Sequence, residues 1–490
     1  MVTARAGITA FGGYIPRLRL GKSAIAGAHA WIAPGLKGQA KGERSMANWD
    51  EDSVTMAVEA GRDCLGDQDR SAIDAVYMAS TSMPFLDRQN AGIVGAALNL
   101  SEEVNSLDVG YSQRAGTSGL MAALAAVQSG MSDNLLYVAA DQRAAKPGSV
   151  QELQYGDGAA ALTIGVGQGD NPVIAEFIGS HSVTVDFLDH YKGEGEDFDY
   201  VWEERWIKEE GYQKIVPRAV QGLLDKVGIS GDKINHFVMP CVFARLAGSV
   251  AKKIGLPETS VRDALGEVCG EAGTAHALIM LVHALQEAKP GEKILVASFG
   301  HGCDAMLFEV TDEIASLSAR QGIVGALAHR RMEDNYGKFQ AFSGAVVLEK
   351  GIRAELDTPT PATTLYRNRE MVTGMVGGKC RKCGTVQFPR KAICISPNCD
   401  AINDFDDLPF ADRSAKLASW SADWLGYSLS PPNHYGMIEF DEGGRFMCDL
   451  TECEEGKVAV GTKIKMMFRI KSIDAKRGFR RYFWKGTPIS

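Results

Sequence analysis

The chain has 490 residues, 45% of them hydrophobic, more than one hydrophobic core organises, which points to two or three domains. A formal net charge of −9 argues against a general affinity for nucleic acid or anionic membrane. There is no run of about 18 apolar residues for a membrane span, and the opening MVTARAGITAFGGY has no apolar signal core, so a cytoplasmic location is expected.

The predicted elements repeat. A helical stretch near Met56–Leu65 leads to the strand IDAVYMAS (73–80), a Gly/Ala-rich helix over Ala115–Gly130, the strand LLYVAA (135–140) and a partner strand over Gly156–Gly165. A second helical stretch, Ala219–Val227, leads to INHFVMPC (234–241), a helix over Thr274–Glu287, the strand KILVASFG (293–300) and a partner over Cys303–Val310. The order helix, strand, helix, strand, turn, strand thus occurs twice. Strands alternating with helices predict an α/β fold with a mainly parallel sheet, and two packed halves, about 1–168 and 169–312, predict a duplicated five-layered architecture. An ordinary doubly wound sheet is the alternative. Gly116, Gly156 and Gly158 read as sites of close backbone packing at helix and strand ends.

After Val310 the pattern weakens. Residues 313–363 read as a connecting segment that ends in the Pro/Thr-rich linker DTPTPATT (357–364). Residues 364–490 read as a small domain. Cys380-x2-Cys383 and Cys394-x4-Cys399, ten residues apart, have the spacing of a closed structural Zn²⁺ site, with Gly384 permitting the tight turn. No His or open position is present for a catalytic metal. The other six cysteines read as buried free thiols. Further on, KIKMMFRIK (463–471) alternates as a half-buried strand does.

Several stretches together resemble the thiolase superfamily, and in particular its hydroxymethylglutaryl-CoA (HMG-CoA) synthase branch: NWDEDSVTMAVEA (48–60), ASTSMPFLDRQNA (79–91), RAGTSGL (114–120), GDGAAAL (156–162) and SFGHGCDAM (298–306). The resemblance covers about residues 5–312. It implies acyl-CoA substrates, carbon–carbon bond chemistry and a homodimer built through the first half. The C-terminal part resembles the rubredoxin-like zinc hook and oligonucleotide-binding (OB)-fold proteins that accompany thiolases. In that context the basic tail AKRGFRRYFWK (475–485) reads as a last strand that meets CoA phosphates or the neighbouring domain rather than nucleic acid.

The family's nucleophilic Cys stands at the start of the Ala115–Gly130 helix, where a helix N-terminus lowers a thiol's pKa. Here the alignment puts Gln113 in that place, with no Cys within forty residues. The family's His falls in MPCVF (239–243), its Asn near Gly270, and its acid/base Glu on Asp87. Ping-pong acyl transfer is therefore not expected. Three readings stay open: aldol or retro-aldol cleavage of a 3-hydroxyacyl-CoA, HMG-CoA synthase-like or decarboxylative condensation, and a non-catalytic CoA-binding scaffold for a partner thiolase.

Four groups are candidates for the missing chemistry. His301, between two glycines in the GHGCD turn, is the first choice of base. His276, in CGEAGTAHAL, and Asp87, in MPFLDR, are the others, and Gln113 offers its amide to an enolate. Gly302 and Asp304 are candidates for the substrate or oxyanion side. Each also has a structural reading: His276 bonded to backbone, Asp87 paired with Arg88 or Arg143. Cys241, Cys269 and Cys303 fall near the site by alignment, Cys241 being the one conceivable replacement nucleophile. His181, His190 and EGEDFDYVWEERW (194–206) are expected to cap the acyl pocket, with the acidic residues as a solvated face.

Overall fold

In the computed structural model, residues 6–167, 171–349 and 361–489 are described. The first half of the expected linker, 357–360, lies outside them. The chain divides into two units. In chain order the first holds strand β1 (Gly7–Tyr14), helix α1 (Ser53–Leu65), β2 (Ala75–Ala79), β3 (Asn105–Val109), helix α2 (Ala115–Gln128), β4 (Asn134–Gln142), β5 (Asp157–Gly165), β6 (Ala175–Thr184), helix α3 (Gln213–Val227), β7 (His236–Val238), helix α4 (His276–Leu285), β8 (Lys293–Phe299) and β9 (Gly302–Val310). Local chemistry sets several of these ends. Asp52 caps α1 by accepting from the Thr55 N–H at 3.0 Å, and Thr55 Oγ1 accepts from the Asp52 N–H in return. Gly228 closes α3 in the left-handed conformation.

The strands form one sheet in the order β7-β8-β9-β6-β1-β5-β4-β2-β3. The duplication is visible in its pairing. In the first half β2 runs parallel to β4, β4 antiparallel to β5, and β5 antiparallel to β1. In the second, β7 runs parallel to β8, β8 antiparallel to β9, and β9 antiparallel to β6. A short antiparallel contact, Gly7 with Glu176 and Ile8 with Ala175, joins the halves. The expectation of a mainly parallel sheet is thereby corrected. Gly300 and His301 are the whole connection between β8 and β9, far too short for the crossover a parallel pair needs.

Helices cover both faces, which is why β5 is buried along its whole length. α1 packs on β1, β4 and β5, α3 packs on β6, β8 and β9, and the Gly/Ala-rich pair α2 and α4 lies between the half-sheets. These are the five layers. The central layer belongs to one large core with Leu120, Leu124, Leu278 and Leu281, and a second core under α3 gathers Val216, Val220, Leu223 and Leu295.

The first unit runs to Ala345, so most of the segment read as a connection after residue 312 belongs to it. Strand Arg331–Glu333 pairs with Leu18–Gly21, which pairs in turn with Glu43–Met46.

The second unit comprises residues 346–490 with the short segments 49–51 and 95–100. Strands β10 (Val376–Cys380), β11 (Val386–Gln387) and β12 (Phe405–Pro409) form a ribbon. Strands β13 (Ala415–Asp423), β14 (Asn433–Phe440), β15 (Arg445–Asp449), β16 (Lys463–Asp474) and β17 (Phe479–Pro488) form an antiparallel sheet in the order β15-β14-β13-β16-β17, and a bridge from Leu450 to Gly486 curls it toward closure. No helix among the described residues is long and apolar enough to cross a membrane.

Candidate active site and metal centre

The start of α2 is fixed from two sides. The carbonyls of Ser112 and Gln113 both accept from Thr274 Oγ1 at 2.9 Å. Asp304, on β9, accepts four hydrogen bonds: from Arg114 Nη1 at 2.8 Å, Ser182 at 2.8 Å, Thr117 at 3.0 Å and Ser118 at 2.7 Å. A Cβ on Gly116 would stand 2.1 Å from the Thr274 carbonyl oxygen, so a glycine is required for this approach.

Gln113 held in this way lines a cavity of about 160 Å³. The floor of the cavity is a polar chain. Gln113 Nε2 donates to Glu271 Oε1 at 2.8 Å, and Glu271 Oε2 accepts from Arg143 Nη1 at 2.7 Å. Arg143 Nη2 donates to the Tyr155 hydroxyl at 2.7 Å and to Asp199 at 2.5 Å, with its guanidinium 3.6 Å over the Tyr155 ring. Burial works against the charge on Arg143, but Tyr155, Glu271 and Asp199 together hold its pKa above the ordinary value. One stretch of the wall is mainly apolar. Ile207, Tyr212, Phe243 and Phe299 line it, the Tyr212 and Phe299 rings 4.3 Å apart.

Cys241 is the one thiol on the cavity wall among the described residues. Burial pushes it up to about 12, outweighing the opposing effect of the Phe243 N–H that its sulfur accepts at 3.4 Å, so it is a neutral thiol. Beside it stand Asp189 and His190. His190 Nδ1 lies 3.1 Å from Asp189 Oδ2, which puts the ring proton on Nδ1 and leaves Nε2 with a lone pair. Burial opposes ionisation of Asp189, but its hydrogen bond from His190 and the nearby His190 and His301 hold its carboxyl below the usual range.

The sequence candidates meet different fates. Gln113 is on the cavity. His301 is not among its lining residues: it stands behind His190, with Nε2 donating to the His190 carbonyl at 3.2 Å and 3.5 Å from Asp189 Oδ1. His276 is fully buried, with Nδ1 accepting from the Ala272 N–H at 3.2 Å and Nε2 donating to the Ala264 carbonyl at 2.7 Å. Burial lowers its pKa, and neither nitrogen is left for a substrate. Asp87 is exposed on its loop, away from the cavity, and Arg143 pairs with Glu271 and Asp199 instead. Asp304 is consumed by the helix frame rather than facing the cavity. Gly302 answers to packing, because at φ +122° a Cβ would stand 2.1 Å from the Val183 carbonyl oxygen. Cys269 and Cys303 are buried off the cavity.

The cap is partly as expected. His190, Val201, Trp202 and Glu204 line the cavity, whereas His181 packs against Gly222 on α3. The acidic segment is not only a solvated face, since Asp199 turns inward to Arg143. Sequence reasoning missed Glu271, Arg143 and Tyr155. The available signal was a lone carboxylate in the otherwise small and apolar CGEAGTA (269–275), a residue type that rarely stays buried without a partner.

In the ribbon, Cys380, Cys383, Cys394 and Cys399 place their four sulfurs within 4.8 Å of one another, at 3.8 Å for Cys380–Cys399 and 3.5 Å for Cys383–Cys394. Tetrahedral zinc with bonds of about 2.3 Å needs sulfurs about 3.8 Å apart, so the group fits. Gly384, at φ +75°, lets its N–H reach the Cys380 carbonyl at 2.8 Å and closes the first knuckle.

Comparison with known proteins agrees in both units. The model for the C-terminal part of 3-oxoacyl-[acyl-carrier-protein] synthase III matches residues 224–310. The rubredoxin-like zinc ribbon of ChsH2 matches 376–402, and the ChsH2 C-terminal OB-fold domain matches 411–469. With this match the four thiolates are a structural zinc site. The hydroxymethylglutaryl-CoA synthase of Aeropyrum pernix is 32% identical over 354 residues, 70% of this chain and 96% of that protein. Its counterpart from Methanothermobacter thermautotrophicus is 31% identical over 350 residues, 69% and 98%. Among solved structures, an HMG-CoA synthase complexed with CoA superimposes with a TM-score of 0.61 at 17% identity, covering 73% of this chain and 95% of that one. A 3-oxoacyl-(acyl carrier protein) synthase III from Pseudomonas aeruginosa gives 0.54 at 20% identity, covering 63% and 98%. Both establish the thiolase-like fold.

Proposed function

The chain belongs to the hydroxymethylglutaryl-CoA synthase family of the thiolase superfamily, and from that premise we propose that it makes or breaks a carbon–carbon bond in acyl-CoA thioesters without forming an acyl-enzyme. The observation that carries this reading is Gln113 on the cavity floor, at the helix start where the family's nucleophile belongs, with the one thiol of the wall among the described residues, Cys241, held neutral. An amide cannot accept an acyl group. It can donate a hydrogen bond, and Gln113 spends one of its two N–H groups on Glu271, leaving the other for an oxyanion.

Retro-aldol cleavage of a 3-hydroxyacyl-CoA suits these groups. His190 Nε2 takes the proton of the 3-hydroxyl while Asp189 holds Nδ1–H. The Cα–Cβ bond breaks, its electron pair passes into the thioester as an enolate, and Gln113 donates to the enolate oxygen. The β-carbon leaves as an aldehyde or ketone, and the proton returns to Cα. The reverse sequence is the aldol addition. The base is thus His190 rather than His301, because His190 lines the cavity and has the free nitrogen. Zinc, closed by four thiolates, supplies folding free energy to its own unit. The outer side of edge strand β3 is unpaired among the described residues, which supports the homodimer that the family resemblance implies.

The test is to incubate the zinc-loaded, full-length protein with a panel of 3-hydroxyacyl-CoA thioesters and identify products by mass spectrometry. A shortened acyl-CoA and a carbonyl compound are expected, with no acyl adduct on the protein. His190→Ala should lower turnover by about 10²–10⁴-fold, and His301→Ala by much less. An adduct on Cys241 or Cys303 would restore a thioester route and overturn this one. No product from any thioester, with a stable complex to a separate thiolase, would favour the scaffold reading.

A further inference from the structure

Resting on the acyl-CoA reading above, we infer that the cavity selects an uncharged acyl group with an apolar or aromatic substituent on the β-carbon, and rejects an acyl group that carries a carboxylate of its own. The first ground is charge. Three carboxylates line the cavity, Asp189, Glu204 and Glu271, against one guanidinium, Arg143. That guanidinium is already committed, to Glu271 at 2.7 Å and Asp199 at 2.5 Å. Lys208 is bonded to Glu204 and sits 4.6 Å from the centre of the Phe243 ring, outside the lining. A carboxylate entering here meets like charge, and the one guanidinium among the described lining residues is already paired. A buried carboxylate without a partner is costly.

The second ground is shape and polarity. Tyr212, Phe243 and Phe299 form a continuous aromatic stretch of the lining, with Tyr212 and Phe243 edge to face at 6.1 Å. Ile207 and Val242 extend it. These aromatic and aliphatic side chains give the β-substituent apolar surface to lie against. At about 160 Å³ the cavity is smaller than the roughly 300–1,000 Å³ of a drug-sized site, so it takes a compact group rather than a long chain.

A matched pair of thioesters tests this: 3-hydroxy-3-methylpentanoyl-CoA and 3-hydroxy-3-methylglutaryl-CoA, which differ by a methyl in place of the terminal carboxylate, with 3-hydroxy-3-phenylpropanoyl-CoA as the aromatic member. Dissociation constants are measured by calorimetry on the full-length protein, and repeated on His190→Ala, in which cleavage is slowed. The carboxylate-bearing thioester should bind about tenfold more weakly or worse than its methyl partner, and the phenyl compound at least as tightly as the methyl one. Asp199→Asn, which takes one partner from Arg143, should narrow that gap. Equal or tighter binding of the glutaryl thioester overturns the inference while leaving the acyl-CoA reading intact. Failure of all three to bind overturns both.

Discussion

Replacing Asp304 by Asn distinguishes a frame for the active site from a part of it. Its two oxygens accept four hydrogen bonds, two each, and the side chain is 1% exposed, with its partner Arg114 at 13%. An amide keeps one oxygen and presents an NH₂ in place of the other. If the oxygen stays with Arg114 and Ser182, then Thr117 and Ser118 lose their acceptor at the first turn of α2. Removing one member of a buried pair costs about 3–5 kcal/mol. The retained oxygen keeps Arg114 partly satisfied, which puts the loss near the lower end, about 3 kcal/mol. Hydrogen exchange read on peptides covering residues 112–128 isolates this helix from the rest of the chain, and such a loss should speed its protected amides by about a hundredfold. Acyl-CoA affinity should fall only as far as the helix start loosens. Wild-type exchange in α2 with abolished acyl-CoA binding would refute the argument and put Asp304 against the substrate.

Two further outcomes are expected. Elemental analysis should find about one zinc per chain, and Cys380→Ser should lower it and unfold the second unit before the first; unchanged metal in that variant would dismiss the four-thiolate site. Asp157 is fully buried, and burial pushes its carboxyl up to about 6. Its folded value lies above the unfolded one of about 3.9, so this contribution is present below about pH 4 and is lost as pH rises through 6, a difference of about 3 kcal/mol. Asp157→Asn should remove that slope from the unfolding free energy, and parallel curves for the two proteins between pH 4 and 7 would contradict it.

The duplicated α/β plan was legible because each buried strand is a short apolar run and each central helix a Gly/Ala-rich one, and these survive as local patterns. The direction of β5 and β9 was not, since an apolar run reads the same both ways; for β9 the two-residue Gly300–His301 connection fixes the reversal, whereas the longer connection 143–156 before β5 carries no such signal. The zinc site was fully legible because its ligands are local pairs. The cavity was not, for a physical reason. Gln113, Arg143, Tyr155, Asp199 and Glu271 come from five separate segments, and what joins them is a chain of hydrogen bonds with no sequence period. His276 and His301 drew attention as histidines in glycine-rich text. Whether an imidazole works on a substrate depends on which nitrogen remains unbonded, and sequence does not carry that.

Gly116 and Thr274 meet backbone to backbone, at a distance that excludes even a methyl group. The two repeats are therefore clamped at the very place where the helix starts of both halves converge, and the closest contact in the clamp is made of main-chain atoms and one glycine. Thr274 Oγ1 and Asp304 reinforce it with hydrogen bonds to the start of α2. A lineage can exchange the residue at position 113, giving up its bond to Glu271, or the one at 241, and change what chemistry is feasible while the main-chain contact between the halves stays in place. Catalytic identity and architectural identity are stored in different atoms, so a nucleophile can be replaced by an amide while the housing stays whole.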